Sequence, residues 1–124
     1  CHRLLKEGSH VVCADAHSLA AEATAEELVK KVGVGIGVAG SGLSAFGPTL
    51  ARSADMTNRE SLSKLFEDVV LAYGGMDTLI ITAGVFFPPD SSGRISDSQW
   101  RQTYDVNVIG PAMVAEEAHT VWRR

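Results

Sequence analysis

The residues Asp77-Thr78-Leu79-Ile80-Ile81-Thr82, closed by Ala83-Gly84, decide the fold class. Their apolar side chains occupy consecutive positions instead of alternating ones, which is typical of a strand covered on both faces in a parallel sheet. A second apolar, β-branched run, from Ser9 to Asp15, predicts another buried strand after a turn at Gly8. The short segment from Leu50 to Asp55 predicts a further strand.

Helical patterns lie between the predicted strands. Alanine, glutamate, leucine and lysine from Ser18 to about Lys31 favour one helix. Thr57 and Glu60 have the spacing of a capping box, so a second helix should begin there and end at Gly74-Gly75. Five side chains of that helix fall on one face: Leu62, Leu65, Phe66, Val69 and Tyr73. The first four are expected in the core.

Two further helices are predicted near the end of the chain. A second capping box, Ser96 to Gln99, opens the first of them. Pro111 stands where the first turn of the next helix, Ala112 to Trp122, tolerates it. Strands that alternate with helices of about 10 to 15 residues indicate βαβ units, so the sequence predicts an α/β fold with a doubly wound parallel sheet.

Length and composition limit the classes of protein that fit. The 124 residues are 45% hydrophobic and 21% charged, so we expect one domain, 1–124, with a glycine-rich insertion loop at 33–50. A start at Cys1 and an end within a helical pattern suggest a piece of something longer. Two cysteines, no zinc-like spacing, no long apolar run and no leader favour a cytoplasmic protein without metal or membrane span. A net charge of -4 without a basic stripe argues against nucleic acid.

The glycine-rich segment contains a misleading motif. Residues 35–40 fit G-x-G-x-x-G, and Asp55 follows at about the distance that a dinucleotide fingerprint requires. That motif functions because its third glycine opens a helix whose N–H groups face a pyrophosphate, whereas Gly42, Gly47 and Pro48 follow here. We therefore interpret the segment as a flexible insertion.

Two carboxylates are candidate ligand contacts. Asp15 lies at the carboxyl end of a predicted parallel strand, where open α/β sheets bind ligands. A carboxylate there can accept both hydroxyls of an adenosine ribose and would repel a 2′-phosphate. The alternative is a polar residue that merely ends the strand, and position alone leaves both interpretations open. Asp55 has the same two interpretations.

Asn107 is the third candidate, because it interrupts an apolar helical stretch shortly before Pro111. Its amide could simply bond nearby backbone or solvent. A functional interpretation is an amide that perturbs the helix and holds a water molecule. The histidines form no i, i+4 pair and are expected to be surface or packing residues: His2, His10, His17 and His119.

Four blocks together resemble the short-chain dehydrogenase/reductase family. In chain order they cover residues 8–15, 54–62, 73–84 and 100–111. The resemblance implies a partial Rossmann-like, three-layer α/β/α domain that is truncated at both ends. The family's first strand, which lies between the strands corresponding to 11–15 and 77–82, would precede Cys1 and leave a gap.

The resemblance also implies roles for individual residues. Asp15 would bind the adenosine ribose and select NAD, since Ala16 supplies no cation for a phosphate. Asp55 and Met56 would flank the adenine, Ala83 and Gly84 would pass close to the adenosine ribose, and Asn107 would be the asparagine of the catalytic tetrad. The full set of expected cofactor contacts is Asp15, Ala16, Asp55, Met56, Thr82, Ala83 and Gly84.

Departures from the family pattern limit what this chain can do. The family's Asn-Asn-Ala-Gly is replaced by residues 81–84, Ile-Thr-Ala-Gly, and the Thr-Gly-x-x-x-Gly-x-Gly turn that holds the pyrophosphate is missing. A Tyr-x-x-x-Lys pair is missing too, since Asp77 and Val108 stand four residues after the two tyrosines. Hydride transfer needs that acid/base pair, so we expect an inactive chain from an NAD-dependent parent that acts on a small alcohol, hydroxy-aldehyde or sugar derivative.

A narrower resemblance concerns the insertion and residues 85–90, which look like the dehydrogenase half of proteins that join a rhamnulose-phosphate-type aldolase to a short-chain dehydrogenase. A chain without the first strand is expected to re-pair its strands or to form a homo-oligomer, with strand exchange as one route. Two alternatives remain: a non-catalytic nucleotide-binding or interaction module, and a flavodoxin-like regulatory domain, which fits the alternation but not the Val-Asn-Val block.

Overall fold

The computed structural model describes residues 1–32 and 48–123. Helices and strands alternate through the first half of the chain, and a long helical run ends it. The elements are α1 (His2–Lys6), β1 (Val11–Asp15), α2 (Ser18–Val32), β2 (Thr49–Ser53), α3 (Arg59–Tyr73), α4 (Asp97–Tyr104), a π-helical turn (Asp105–Ile109) and α5 (Gly110–Trp122). The predicted α/β class with parallel strands is confirmed.

β1 and β2 form a parallel pair whose register runs from Val11 opposite Thr49 to Asp15 opposite Ser53. Parallel neighbours need a crossover connection, and α2 lies on this one. The Ala54 N–H donates to the Asp15 carbonyl over 2.8 Å, so the ladder continues just past the end of both strands. The carboxyl ends of β1 and β2 therefore lie side by side.

The buried residues form two apolar clusters. The sheet cluster joins α1, β1 and α2, with Val32 and Ala51 packed against it; its members are Leu5, Val11, Cys13, Ala25 and Leu28. The helix cluster joins α3 and α5, and Met56 and Met76 pack against it; its members are Leu62, Phe66, Val114 and Ala118. The predicted apolar face of α3 is confirmed at Leu62, Phe66 and Val69, all buried.

Two predictions about strands need correction. Residues 77–82 have no strand assignment, and Ile80 is 61% exposed, so the expected strand covered on both faces is wrong for the described part of the chain. A strand is defined by its ladder, and the sheet among the described residues contains only β1 and β2. The predicted loop at 33–50 overlaps β2, which begins at Thr49; residues 33–47, including the 35–40 motif, lie outside the described residues.

Helix ends show which local signals prevailed. The expected capping box at Thr57 is wrong, because α3 is capped by Asn58, whose Oδ1 accepts the Ser61 N–H over 3.0 Å. The predicted end is confirmed at Gly74, which has a φ of 80° in the left-handed region that favours glycine. The capping box between Ser96 and Gln99 is also confirmed.

The last helical run is continuous from Asp97 to Trp122, with the π-helical turn in its middle. In that turn the Gly110 N–H donates to the Asp105 carbonyl, five residues back. π-Helical turns insert one extra residue into a helix and are often found at functional sites. No helix in residues 1–32 or 48–123 is long and apolar enough to cross a membrane.

Candidate functional site

Asp15 ends β1, with its side chain 49% exposed. Its Oδ1 accepts the His17 N–H over 2.8 Å, and the His17 Nδ1 lies 3.5 Å from the same oxygen. The next residue is tied to the neighbouring strand, since the Ser53 hydroxyl donates to the Ala16 carbonyl over 3.2 Å. These contacts fix the turn that presents the Asp15 carboxylate at the carboxyl end of the sheet.

Asp55 follows β2 and holds the turn that leads into α3. Its Oδ1 accepts the Thr57 hydroxyl over 2.7 Å and the Thr57 N–H over 2.8 Å. Its own N–H donates to the Ser61 hydroxyl over 3.0 Å. The Thr57 hydroxyl, and next the Thr57 N–H, lower the pKa of Asp55 below its ordinary value because both stabilise the carboxylate. This also explains why Thr57 does not cap α3.

The lowered pKa of Asp55 predicts a contribution to acid sensitivity. The pKa is lower in the folded chain than in the unfolded chain, so the stabilisation is fully present above the unfolded pKa and is lost as the pH falls through the folded one. We expect Asp55→Asn to reduce the slope of unfolding free energy against pH below about pH 4. Urea titrations at several pH values measure this slope; Glu67→Gln, at an exposed position on α3, should leave it unchanged. An unchanged slope in Asp55→Asn would contradict the assignment.

Asn107 lies in the π-helical turn and bonds the backbone of a distant residue. Its Oδ1 accepts the Val85 N–H and its Nδ2 donates to the Val85 carbonyl, both over 2.8 Å. The side-chain amide thus bonds both backbone groups of one residue, as a neighbouring strand would. A Cβ built on Gly84 would lie 3.3 Å from this Oδ1, so glycine permits the close approach.

Met56, the residue after Asp55, contacts the helical run at Gly110. A Cβ built on Gly110 would lie 2.8 Å from the Met56 Cγ, and Gly110 is buried. Met56 therefore packs directly on the backbone at Gly110, where α5 begins. Gly110 is three residues after Asn107 in the sequence. Sequence reasoning did not single out Gly110, although it lies in the block that carries Asn107.

The segment 76–85 is anchored at both ends to this helical run. The Trp122 indole N–H donates to the Met76 carbonyl over 2.7 Å, and Asn107 holds Val85 at the other end. Thr82 and Ala83 lie between these anchors and are exposed. Sequence reasoning missed Trp122 and Val85, and no local pattern could have shown their partners.

The described contacts therefore connect most of the expected site residues. Asp15 is linked through the Ala54 N–H to the turn that carries Asp55, and the adjoining Met56 contacts Gly110. The same helical run holds Gly84 and Val85 through Asn107. Carboxylates at neighbouring strand ends are acceptors suited to the hydroxyls of a ribose. Within residues 1–32 and 48–123, no group of three His, Cys, Asp or Glu side chains is placed to hold a metal ion.

Comparison with known proteins gives a consistent picture. The Bacillus subtilis protein described as uncharacterized oxidoreductase YuxG is 31% identical over 118 residues, which are 95% of this chain and 15% of that protein. A sorbitol-6-phosphate 2-dehydrogenase from Erwinia amylovora matches 98% of this chain and 42% of its own, with 21% identity and a TM-score of 0.77. A short chain dehydrogenase from Mycobacterium smegmatis matches 98% of this chain and 45% of its own, with 22% identity and a TM-score of 0.78.

The solved structures share the fold, and the chain spans less than half of each of these two and a smaller part of the Bacillus protein. The family model for short chain dehydrogenases matches residues 1–123, which is nearly the whole chain. The chain therefore belongs to the short-chain dehydrogenase/reductase family, whose members are oxidoreductases that use NAD(P).

Proposed function

We propose that these residues form the nucleotide-binding part of an NAD-dependent oxidoreductase that acts on a small alcohol, hydroxy-aldehyde or sugar derivative. The observation that carries the proposal is the Asp15 carboxylate, half-exposed at the carboxyl end of β1 beside the end of β2. In open α/β sheets this is the position at which an acidic residue bonds the adenosine ribose of NAD.

The residues of this chain would bind and orient the nucleotide. The Asp15 carboxylate would accept the ribose hydroxyls and repel the extra phosphate of NADP, since Ala16 adds no positive charge. Asp55 and Met56 would lie beside the adenine, and Thr82, Ala83 and Gly84 would lie along the ribose. When bound, NAD supplies the hydride acceptor for oxidation of the alcohol.

Asn107 would be this chain's contribution to the catalytic residues. Its amide oxygen and nitrogen both bond the Val85 backbone, so its proposed role is to hold the segment 83–85 against the helical run and to fix the backbone around the π-helical turn. The sequence contains no Tyr-x-x-x-Lys pair, which would supply the proton transfer that accompanies hydride transfer. We therefore expect no dehydrogenase activity from these 124 residues alone.

Replacement of Asp15 tests the proposal. In the full-length protein, Asp15→Arg should shift the ratio of kcat/KM for NAD and NADP toward NADP by at least about tenfold, because a repulsive carboxylate is exchanged for a cation that can bond a phosphate. Asp15→Ala should produce a smaller shift in the same direction. Steady-state kinetics with both nucleotides measure the ratio. Glu67→Arg, which makes the same charge change at an exposed site on α3, is the control; an unchanged ratio in Asp15→Arg would remove Asp15 from this role.

A second candidate function is a non-catalytic nucleotide-binding or interaction module, which the missing Tyr-x-x-x-Lys pair favours. Calorimetric titration of this chain with NAD separates the two. The dehydrogenase proposal expects no measurable binding, because the glycine turn for the pyrophosphate is not in the sequence. A dissociation constant of about 1 μM would favour the module.

Domain fusion, cellular location and self-association are also proposals. Fusion to an aldolase is proposed from the resemblance of the insertion and of residues 85–90. The matched 118 residues are 15% of the Bacillus relative, so that relative contains further sequence. A cytoplasmic location is supported by the two cysteines, Cys1 and Cys13, which are both free thiols. Self-association, with strand exchange as one route, is supported by residues 77–82, which belong to no ladder among the described residues.

A further inference from the structure

The register of the sheet shows which backbone groups of β2 face away from β1. The Val11 N–H donates to the Pro48 carbonyl over 2.9 Å, and the Ala54 N–H donates to the Asp15 carbonyl over 2.8 Å. In a parallel ladder the N–H and C=O of one residue point to the same side, and successive residues alternate. Residues 48, 50, 52 and 54 therefore face β1. The outer edge of β2 consists of the backbone groups of Thr49, Ala51 and Ser53.

The side chain of Arg52 covers the centre of this outer edge. Its Nη1 donates to the Ala51 carbonyl over 2.8 Å, and its Nε donates to the Asp68 Oδ2 over 2.6 Å. The Arg52 side chain is 32% exposed and that of Asp68 is 26% exposed, so both are partly shielded from water. The guanidinium is thus fixed to α3 and occupies the middle carbonyl of the edge.

Among residues 1–32 and 48–123, no strand other than β1 pairs with β2, so its outer edge is open to another strand apart from the Arg52 contacts. A groove of about 370 Å³ runs beside it, and its walls come from β2 and from both flanking helices. The lining includes Ser18 and Glu22 from α2 and Lys64 and Leu65 from α3, with Arg52 and Asp68 between them. An incoming strand would need the Ala51 carbonyl as an acceptor, and it would have to break both guanidinium contacts to reach it.

We propose that Arg52, held by Asp68, guards the outer edge of β2 and prevents a second copy of this chain from adding a strand there. Exposed sheet edges are templates for pairing with other chains, and charged side chains are a common protection. Hydrogen bonds between a guanidinium and a carboxylate are among the strongest in proteins, particularly when partly buried. The fork of arginine suits this role, because two of its nitrogens, Nη1 and Nε, bond the carbonyl and the carboxylate at the same time. The proposal does not depend on nucleotide binding or on the proposed oxidoreductase activity.

Removal of the guanidinium tests this inference. Arg52→Met keeps a long apolar stem but has no donor. We expect the Ala51 and Ser53 amides of this variant to exchange with solvent more slowly as protein concentration rises, on the order of tenfold across a dilution series, as a new ladder forms. Hydrogen exchange followed by NMR measures these two amides, and sedimentation velocity reports self-association beyond that of the wild-type chain. The wild-type chain should show no such dependence at Ala51 and Ser53.

Arg59→Met is the matched control, because Arg59 forms an exposed ion pair with Glu116 between α3 and α5, away from the strand. It should behave as the wild type does. Arg52→Lys tests whether the effect comes from covering the edge or from a change in stability. The ammonium can keep the ion pair with Asp68, but it is a single nitrogen and does not reproduce the separate Nε and Nη1 contacts. This variant should have the same unfolding free energy as the wild type, but its Ala51 and Ser53 amides should exchange more slowly as protein concentration rises. The proposal is overturned if the Ala51 and Ser53 amides of both Arg52 variants exchange at the wild-type rate at every protein concentration. It is also overturned if these amides already exchange more slowly in the wild type as its concentration rises.

Discussion

Leu62→Ala should lower the free energy of unfolding by about 3 to 4 kcal/mol. Leu62 is 1% exposed and lies in the helix cluster, where Phe66, Val114 and Ala118 surround it. Truncation removes buried methyl groups and leaves a cavity that α3 and α5 can close only in part. A whole domain is commonly stable by only about 5 to 15 kcal/mol, so this loss is a large share. Urea denaturation followed by circular dichroism measures it.

Leu71→Ala is the control for Leu62→Ala, because it makes the same chemical change on the same helix. Leu71 is 77% exposed, and we expect its truncation to change the unfolding free energy by less than about 0.5 kcal/mol. Equal losses at Leu62 and Leu71 would show that the packing of α3 on α5 does not stabilise the chain.

Gly110→Ala is expected to lower the free energy of unfolding by about 2 kcal/mol, the second largest effect. The new Cβ would lie 2.8 Å from the Met56 Cγ and 3.3 Å from the Asp105 carbonyl oxygen. The Met56 side chain would have to move away from the helix. The backbone of Gly110 is helical, with a φ of -53°, so alanine is conformationally acceptable and a loss must come from packing. Urea denaturation measures the change.

Gly75→Ala is the control for Gly110→Ala, since a Cβ built on Gly75 meets nothing within 4 Å. It should leave the unfolding free energy almost unchanged. The contact between Met56 and Gly110 would be contradicted if the Gly110 variant were as stable as the wild type or more stable, because intrinsic helix propensity would then be the only effect of the substitution.

Local sequence signals predicted the helices well and the strands less well. The bounds of α3 depend on an apolar stripe, a capping side chain and Gly74, all within the segment itself. The exception is instructive: Thr57 has the spacing of a cap, but the Asp55 carboxylate takes its hydroxyl, so Asn58 caps the helix instead. Residues 77–82 have the composition of a strand, but a strand requires a neighbour, and composition cannot supply one.

In the candidate site, too, local features could be predicted from the sequence and long-range contacts could not. The positions of Asp15 at the end of β1 and of Asp55 just after β2 could be predicted, because the ends of parallel strands follow directly from the order of elements. The partner of Asn107 could not be found, because Val85 is 22 residues away and the pairing depends on how the segment 76–85 lies against the helix. The contact between Trp122 and Met76 spans 46 residues and has no sequence signal for the same reason.

The π-helical turn at Asp105–Ile109 affects the directions in which Asn107 and Trp122 point around the helix axis. Each residue added to a helix turns everything beyond it by about 100°. Asn107 and Trp122 lie on one helical run and bond opposite ends of one segment, at Val85 and Met76. The angle between the two side chains around the helix axis must therefore match the path of that segment. The extra residue of the turn contributes about 100° to that angle. Loss of one residue from this stretch would rotate one anchor away from the segment while the other stayed in place, so the length of the turn matters as well as its asparagine.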